Sequence, residues 1–389
     1  MDFLQAYLMA ARQNDLYRQV TAYEPVDAAH VKIDGKIYLL LAANNYLGLT
    51  HHPDVRQAAI QAVKSYGTGA GGARLTTGTH PDYLALEAAL AAFKGTEAAV
   101  VFNTGYMANV GTISAIAGEN DVIFSDELNH ASIIDGCRLT KARKVMFRHS
   151  DMGHLARCLA ETACCGRRLI VVDGVFSMDG DIAPLGEIVR LAKKYDALTM
   201  VDDAHATGVL GYGRGTAAHL GLEGQVDIQM GTLSKALGAE GGYIAGSRRL
   251  IDYLVNKARS FIFSTALAPA VIAAALAALR LIAARPELIE RLNENSSFMR
   301  NGLAAAGLKV SGGITPILPV VVGGAGTAVR LAEELRQSGL IVTAIRPPTV
   351  PEGESRLRIT VSAAHDQAEL AMAIEKISTA FNNVKRGKK

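Results

Sequence analysis

The chain has 389 residues, of which 49% are hydrophobic and 20% are charged, and its formal net charge is +3. This length predicts more than one domain, and the apolar fraction is typical of a globular protein with a large core. So small a net charge, without basic blocks interleaved with aromatic residues, argues against a nucleic-acid partner.

Residues 1–48 are expected to form an N-terminal segment. It begins as an amphipathic helix, and Val31–Leu41 is typical of a hairpin that turns at Asp34-Gly35. The first residues, Met1-Asp2-Phe3-Leu4-Gln5, lack the basic start and long apolar core of a signal peptide. The four cysteines show no CxxC spacing, which favours free thiols in a reducing compartment. We therefore expect a cytoplasmic protein.

Residues 49–285 are expected to form a large α/β domain. Apolar runs alternate there with helix-period segments, which predicts a mostly parallel sheet with helices on both faces. Helices are predicted at Asp54–Tyr66 and Asp82–Phe93, the second capped by Asp82. The predicted strands are Ala98–Asn103, Val122–Ser125, Leu169–Asp173, Leu198–Asp202 and Gly242–Ala245.

Residues 286–389 are expected to form a smaller α/β domain. Its predicted elements are a charged helix at Glu287–Leu303, a strand at Ile317–Val322, a helix at Thr327–Gln337, strands at Leu340–Ile345 and Arg356–Val361, and a final helix from about Asp366. The basic end of the chain, residues 385–389, is expected to be a solvated tail rather than a binding patch.

No membrane partner is expected. The most apolar stretch, Ala266–Ala284, is interrupted by Pro269 and Arg280. It falls short of the roughly 20 clean apolar residues that a membrane span needs, so it predicts a buried helix.

Two neighbouring motifs contain a lysine and a carboxylate in positions suited to chemistry. Lys235 lies in a loop of small residues, Gly231-Thr232-Leu233-Ser234-Lys235-Ala236-Leu237-Gly238, from which it can approach an aldehyde closely. Asp202 ends a predicted buried strand in Val201-Asp202-Asp203-Ala204-His205, where it can hold a pyridinium proton. Alone, each motif fits a solvated lysine or a helix-capping aspartate. Together they favour pyridoxal 5'-phosphate (PLP), which depends on these two groups.

A possible anion site follows the first strand of the predicted sheet. Phe102-Asn103-Thr104-Gly105-Tyr106-Met107-Ala108-Asn109 leaves that strand and opens a helix. The amides of a helix N-terminus bind anions, and Gly105 allows a ligand to approach the backbone. We expect a phosphate site with Tyr106 as a further contact, although the segment alone also fits an ordinary turn.

Polar groups follow three more predicted strands. His130 comes soon after Val122–Ser125, and Ser177 and His205 follow the next two strands. Because parallel strands place their carboxyl ends at one edge, Ser177, Asp202 and His205 are expected to reach one ligand. His130 could stack on a flat cofactor, but a lone histidine is more often a structural hydrogen-bonding group.

Two other site types are disfavoured. Gly67-Thr68-Gly69-Ala70-Gly71-Gly72 matches GxGxxG but follows a helix, so it is expected to be a loop lining a cleft and not a dinucleotide site. No histidine pair has the helical spacing of a zinc site, and no metal is expected.

With these motifs the chain resembles the α-oxoamine synthases. These fold-type I PLP enzymes condense an amino acid with an acyl thioester and release carbon dioxide. The resemblance extends from Asn44-Asn45-Tyr46-Leu47-Gly48-Leu49 to Ser362-Ala363-Ala364-His365 and includes Val175-Phe176-Ser177-Met178-Asp179-Gly180-Asp181. It implies a large domain with a mostly parallel seven-stranded sheet flanked by helices, and a smaller α/β C-terminal domain. Asn45 stands where the family usually has aspartate, and Ala206 where glycine is frequent.

The resemblance also implies roles for individual residues. Lys235 would form the Schiff base with PLP and act as the catalytic base, Asp202 would pair with the pyridine nitrogen, and His130 would stack on the ring and assist catalysis. His205 would bond the ring hydroxyl, with Ser177 nearby. The implied phosphate contacts are Gly105, Tyr106 and Thr232, joined by Ser264 and Thr265 of a second subunit, so a homodimer with shared active sites is expected. The implied substrate contacts are Arg358 and Asn44 for the carboxylate, Thr349 for the acyl group, and Arg18.

Within the family, the chain most resembles members that join L-alanine to a pimeloyl thioester in biotin synthesis, carried on coenzyme A or acyl carrier protein. The stretches that carry this likeness are Ala344-Ile345-Arg346-Pro347-Pro348-Thr349-Val350-Pro351 and Arg356-Leu357-Arg358-Ile359-Thr360. Rival reactions join glycine to acetyl-CoA, glycine to succinyl-CoA, or serine to a long acyl thioester. An aminotransferase of the same fold is more distant. A PLP-binding regulator is disfavoured, because no DNA-binding helix pair is appended.

Overall fold

The computed structural model describes residues 2–386, which contain both helices and strands. The helices are α1 (Asp2–Gln13), α2 (Pro53–Tyr66), α3 (Pro81–Lys94), α4 (Gly105–Ile116), α5 (Ala131–Arg138), α6 (Met152–Glu161), α7 (Leu185–Lys194), α8 (Thr216–His219), α9 (Arg248–Lys257), α10 (Arg259–Ile262), α11 (Pro269–Ala284), α12 (Glu287–Ala305), α13 (Ala325–Gln337) and α14 (Gln367–Arg386). The strands are β1 (Glu24–Pro25), β2 (His30–Ile33), β3 (Lys36–Leu40), β4 (Ala98–Phe102), β5 (Val122–Asp126), β6 (Arg143–Phe147), β7 (Arg168–Asp173), β8 (Ala197–Asp202), β9 (Ile228–Thr232), β10 (Gly242–Gly246), β11 (Ile317–Gly323), β12 (Leu340–Ile341), β13 (Thr343–Ile345) and β14 (Ser355–Thr360).

A seven-stranded sheet in the order β4-β10-β9-β8-β7-β5-β6 organises the larger part of the chain. Strands β6, β5, β7, β8 and β9 pair in parallel, and β10 pairs antiparallel with both of its neighbours. The predicted mostly parallel sheet is therefore confirmed. Asp173 and Asp202 are paired residues at the ends of β7 and β8, so the sheet brings these carboxylates together.

The chain divides into two units. The larger consists of Leu49–Ser177 and Ile182–Ile289 and contains the seven-stranded sheet. The smaller consists of Met1–Gly48, Met178–Asp181 and Glu290–Lys389. In the smaller unit, β12 pairs in parallel with β3, so the N-terminal hairpin and C-terminal elements share a sheet. The proposed division into 1–48, 49–285 and 286–389 stays a prediction.

Two local expectations are wrong. Asp82 does not cap α3, because the helix begins at Pro81 and His80 takes the cap position without a side-chain bond. Proline suits the first helical position, where no amide hydrogen needs an acceptor. The expected strand Leu340–Ile345 is divided, because β12 pairs with β3 whereas β13 pairs with β14.

The apolar segment predicted to be a buried helix is α11, and Ile272, Ala275 and Ala278 on it are fully buried. Within residues 2–386, no helix has the length and apolar character needed to cross a membrane. The expectation for the basic tail concerns side chains at 385–389, outside the described part.

His365 is a buried histidine of the smaller unit and is 1% exposed. The backbone amide of Ser362 donates to its Nδ1 at 3.0 Å, and its Nε2 lies 3.1 Å from the carbonyl oxygen of Leu40, to which a neutral ring donates. Burial lowers the pKa of His365 from 6.5 to about 4. The folded protein therefore holds this ring neutral, while the unfolded chain protonates it more readily.

Because the pKa of His365 is lower in the folded protein, we expect the folded protein to lose stability in acid. Stabilisation by the neutral ring is fully present above pH 6.5 and is lost as the pH falls towards about 4. We expect this group to lower the free energy of unfolding by up to about 3 kcal/mol over that interval. Urea unfolding of His365→Asn should show a weaker pH dependence than the wild type, with the exposed His219→Asn as control. Equal pH dependence in all three proteins would contradict the prediction.

Candidate active site

A cavity of about 220 Å³ lies in the larger unit, where β7, β8 and β9 end and α4 begins. Its wall brings together predicted site residues from distant parts of the sequence, namely Gly105, Tyr106, His130, Ser177, Asp202, His205, Thr232 and Lys235. Ser264 and Thr265 do not line it. The remaining predicted residues, Arg18, Asn44, Thr349 and Arg358, belong to the smaller unit.

Lys235 lies on a tight turn that follows β9. The amide of Gly238 donates to the carbonyl of Lys235 at 3.0 Å, and Gly238 has a φ of 65°. A Cβ at Gly238 would lie 2.7 Å from the backbone nitrogen of Thr50, so this turn requires glycine. The turn holds the backbone of Lys235, and its Nζ lies 2.9 Å from Nε2 of His205.

Asp202 ends β8 and is 4% exposed. Its Oδ1 accepts a hydrogen bond from the backbone amide of Ala204 at 2.9 Å, and its Oδ2 accepts one from Nδ2 of Asn109 at 2.6 Å. Two donors thus fix the carboxylate plane at the cavity wall. A carboxylate held in this way suits a positively charged N–H group.

Asp173 lies beside Asp202 on the neighbouring strand and also lines the cavity. Its Oδ2 accepts a hydrogen bond from the backbone amide of His130 at 2.9 Å. Burial, reinforced by the nearby charge of Asp202, raises the pKa of Asp173 well above its usual range. Asp173 can therefore hold a proton under conditions in which an exposed aspartate would not.

His130 stands at the start of α5 with its ring at the cavity wall. Its Nδ1 lies 2.7 Å from Oγ of Ser132 and 3.3 Å from the backbone nitrogen of Ser132. Burial lowers the pKa of His130, the positive charge of Lys235 acts in the same direction, and Asp202 opposes both. A neutral imidazole at this wall can stack on a flat ring and donate one hydrogen bond.

The N-terminus of α4 lines the cavity where the phosphate site is predicted. Thr104 caps the helix by accepting a hydrogen bond from the amide of Met107 at 3.0 Å. A Cβ at Gly105 would lie 3.0 Å from Cε of Met230 and 3.4 Å from Oγ1 of Thr232, so glycine lets the first turn of α4 pack closely against β9. The first amides of a helix lack intrahelical acceptors and carry positive partial charge, which suits a phosphate.

Tyr106 is 43% exposed, and its hydroxyl group donates to the carboxylate of Asp135. Its ring lines the cavity, but in this chain its hydroxyl is bound to that carboxylate. Its predicted phosphate contact stays a prediction.

These groups fit PLP. An amine is present for the aldehyde, a buried carboxylate for the pyridine nitrogen, a neutral imidazole for the ring face, and a helix N-terminus shaped by Gly105 for the phosphate. Across residues 2–386, no cluster of histidine, cysteine, aspartate and glutamate side chains could hold a metal ion.

In the smaller unit, Arg358 is 5% exposed and presents its guanidinium to Asn44. Both terminal nitrogens of Arg358 donate to Oδ1 of Asn44 at 3.2 Å, and the hydroxyl of Tyr46 donates to the same oxygen at 3.2 Å. Arg18 is exposed and donates to the carbonyl of Pro347 at 3.4 Å, two residues before the exposed Thr349. Of the predicted substrate residues, Arg358 and Asn44 are therefore bonded directly, and Arg18 contacts the segment that contains Thr349.

The motifs did not single out Asn109, Ser132 and Asp173 as site residues, yet all three line the cavity. Asn109 lies four residues after Gly105 on α4, a spacing that places both on one helix face. Ser132 lies two residues after His130 at the start of α5. The sequence contains these spacings, but they identify site residues only when it is known which helix faces lie towards the edge of the sheet.

Comparisons with known proteins agree with this geometry. The family model of class I and II aminotransferases matches residues 36–377. The chain is 50% identical over 375 residues to the 8-amino-7-oxononanoate synthase of Geotalea daltonii, with 95% of each chain covered. Relatives with identities of 52% and 47% carry the same description.

Solved structures show the same fold. The serine palmitoyltransferase of S. paucimobilis, with a bound PLP-myriocin aldimine, has a TM-score of 0.93 at 35% identity, covering 99% of this chain and 98% of that one. The 8-amino-7-oxononanoate synthase of Francisella tularensis has a TM-score of 0.77 at 27% identity, covering 90% of this chain and 99% of that one.

Proposed function

This chain belongs to the class I and II aminotransferase family and, within it, to the PLP-dependent α-oxoamine synthases of fold type I, and on that premise we propose its reaction. The enzyme condenses L-alanine with a pimeloyl thioester and yields 8-amino-7-oxononanoate, carbon dioxide and free thiol, a step of biotin biosynthesis. The observation that carries this choice is the identity of about half the residues, over nearly the full length, to enzymes of that name.

PLP, when bound, supplies an electron sink for negative charge at the Cα atom of the amino acid. Lys235 would hold its aldehyde and Asp202 its ring nitrogen. The amides at Gly105 would hold the phosphate, where the helix dipole favours negative charge. His130 would cover one face of the ring. Each of these groups lines the same cavity.

Different side chains would transfer the proton and stabilise the developing charge. Nζ of Lys235 would be freed when the amino group of the substrate takes its place at the aldehyde, and it would then take the Cα proton, with Nε2 of His205 2.9 Å away as a hydrogen-bond partner. A carbon–carbon bond forms between Cα and the acyl carbonyl carbon, the carbon–sulfur bond breaks, and the thiol leaves. The carboxylate carbon departs as carbon dioxide, and a proton returns to Cα. His130, neutral, donates a hydrogen bond to the carbonyl oxygen as charge develops there.

Arg358 is proposed to hold the carboxylate of the amino acid. Its two terminal nitrogens point together at one oxygen of Asn44, an arrangement that can be turned to the two oxygens of a carboxylate. Lysine could not reproduce this fork. Thr349 is proposed to lie near the acyl substrate, and Arg18 is proposed to contact the substrate.

The second candidate function is the condensation of serine with a long acyl thioester. The structural likeness to serine palmitoyltransferase supports it, because the TM-score is higher than that for the solved 8-amino-7-oxononanoate synthase. The TM-score measures the shared backbone and not the pocket that selects a substrate. The identity of 50% to an 8-amino-7-oxononanoate synthase exceeds the 35% to that serine palmitoyltransferase, and it favours alanine and pimeloyl.

Thiol release by the purified, PLP-loaded protein separates these functions. L-Alanine, glycine and L-serine are each combined with pimeloyl-, acetyl-, succinyl- and palmitoyl-CoA, and cofactor-free protein is the control. We expect release with alanine and pimeloyl-CoA, at least tenfold above every other pair. Preference for serine and palmitoyl-CoA, or for glycine with a short acyl group, would contradict the proposal and favour a sister reaction. Pimeloyl carried on acyl carrier protein is tested in parallel.

We further propose a cytoplasmic homodimer with shared active sites. Ser264 and Thr265 do not line the cavity of their own chain, and the adjacent Phe263 is 71% exposed, as expected of a segment that serves a neighbour. The four cysteines are free thiols, which suits a reducing compartment. Full activity in a stable monomer would contradict the shared site.

A further inference from the structure

A continuous chain of hydrogen bonds joins the two predicted ring contacts, Asp202 and His130. Nδ2 of Asn109 lies 2.6 Å from Oδ2 of Asp202 and 2.9 Å from Oγ of Ser132. Oγ of Ser132 lies 2.7 Å from Nδ1 of His130. Asn109 is fully buried and Ser132 is 1% exposed, so water does not compete for these bonds.

The direction of each bond follows from the carboxylate end. A carboxylate oxygen of Asp202 accepts, so the amide nitrogen of Asn109 must face it and donate. The second hydrogen of that nitrogen is then given to Oγ of Ser132. The hydroxyl of Ser132 accepts from Asn109 and can donate its own hydrogen to Nδ1 of His130. The backbone amide of Ser132, 3.3 Å from the same ring nitrogen, is a second donor.

A backbone N–H group can only donate, so the amide of Ser132 makes Nδ1 of His130 an acceptor. A neutral imidazole has one donor and one acceptor nitrogen, so the ring proton is on Nε2. Protonating Nδ1 would place its hydrogen against the amide hydrogen of Ser132, which cannot turn away, and would remove the acceptor for the hydroxyl of Ser132. We propose that Asn109 and Ser132 are positioning residues that fix His130 as the neutral tautomer with its proton on Nε2, and that orient Asp202 at the same time. This inference rests on the proposed function for its catalytic meaning, but its geometry stands without a substrate.

The chain of hydrogen bonds from Asp202 through Asn109 and Ser132 to His130, called the relay below, prepares His130 to donate a hydrogen bond. A ring held as the Nε2–H tautomer presents one donor towards the cavity in every turnover, and no proton needs to be rearranged before it binds an oxygen of the substrate. The charged and titratable groups around this ring are Asp202, Lys235 and Asp173, with His205 and Tyr106 on the same wall. All of them remain when Ser132 is changed, so a difference between variant and wild type isolates the relay.

The ring proton can be located directly by nitrogen-15 NMR of histidine-labelled, PLP-loaded protein, with His130→Gln identifying the signal. In the wild type we expect a protonated Nε2 and an unprotonated Nδ1 at neutral pH. In Ser132→Ala we expect a mixture of tautomers and a higher pH for ring protonation. A wild-type ring with its proton on Nδ1, or one that is charged at neutral pH, would overturn the proposal.

Kinetics provide the second readout. Loss of the donor to Nδ1 should make protonation of His130 easier, so the acid limb of the kcat/KM profile should move up by about one pH unit. At neutral pH kcat/KM should fall about tenfold, and Ser132→Thr, which keeps the hydroxyl, should recover most of it. The matched control is Thr112→Val, which removes a fully buried hydroxyl on α4 that has no hydrogen-bond partner within residues 2–386 and does not line the cavity.

Equal pH profiles for Ser132→Ala and Thr112→Val would overturn the relay. Failure of the proposed reaction is distinguishable from failure of the relay, because the ring-proton measurement needs no substrate. Inactivity towards alanine and pimeloyl-CoA with the expected tautomer would leave the relay standing. If Ser132→Ala unfolds, the tautomer of the wild-type ring still decides the proposal.

Discussion

Lys235→Ala is expected to reduce thiol release by at least about 10⁴-fold, since both the attachment of PLP and the Cα proton transfer depend on this amine. The turn from Leu233 to Gly238 holds the residue in place, and no other lysine lines the cavity of the larger unit as the structure describes it. The visible absorbance of lysine-bound PLP should vanish, and borohydride reduction should no longer attach PLP to the protein. The measurements are the rate of thiol release, the absorbance spectrum of the PLP-loaded protein, and the intact mass of the protein after borohydride reduction.

The control for this substitution is Lys257→Ala, which removes an exposed lysine at the end of α9 in the same unit. It should leave the spectrum and the rate unchanged. Urea unfolding of both variants shows whether the loss is chemical and not structural. A normal lysine-bound spectrum in Lys235→Ala would remove the basis of the proposed site.

Asp202→Asn should bind PLP but lower kcat on the order of 10³-fold. The change keeps the shape of the side chain and removes the charge that would face the ring nitrogen. It also leaves the 2.6 Å contact from Asn109 opposite an uncharged amide. Cofactor content measured by absorbance, together with kcat at saturating substrate, separates retention of PLP from loss of chemistry.

Asp227→Asn is the matched control, because Asp227 accepts two hydrogen bonds from Thr199 at 2.8 Å in the same unit without lining the cavity. It should cost stability but not a thousandfold in kcat. Near-normal turnover by Asp202→Asn would refute the role of Asp202 as partner of the ring nitrogen.

Strands with continuous apolar runs were predictable, because burial on both faces requires such residues. The bounds of β4, β7 and β8 lie within one residue of their predictions. Two strands of the seven-stranded sheet were missed because they lack a continuous apolar run. β6 is an edge strand with mostly exposed residues, and β9 interrupts its apolar run with Gln229 and Gly231.

Site residues that follow strand ends were predictable in location, because parallel strands bring their carboxyl ends together. Lys235, Asp202 and His205 meet at one cavity as expected, although their chemical roles await the substitutions above. The supporting residues could not be deduced in the same way. Asn109 reaches Asp202 only because α4 packs against the sheet with this face inward, a tertiary fact that helical period alone does not give.

The proposed tautomer of His130 could not be deduced from the sequence either. A sequence reveals a histidine after a strand, but the direction of each hydrogen bond depends on a network of three other side chains. Burial of Asn109 and Ser132 makes that network decisive, since no water can replace a lost partner.

The central claim is a decarboxylative condensation at the Lys235 cavity, and L-alanine labelled with carbon-13 in its carboxyl group tests it most directly. The labelled amino acid, pimeloyl-CoA and PLP-loaded enzyme are incubated, and carbon dioxide, free thiol and the amino ketone are measured together. We expect the label in carbon dioxide, equal amounts of carbon dioxide and thiol, and an unlabelled product with the mass of 8-amino-7-oxononanoate. Label retained in the product, or labelled pyruvate without thiol release, would contradict the proposed reaction.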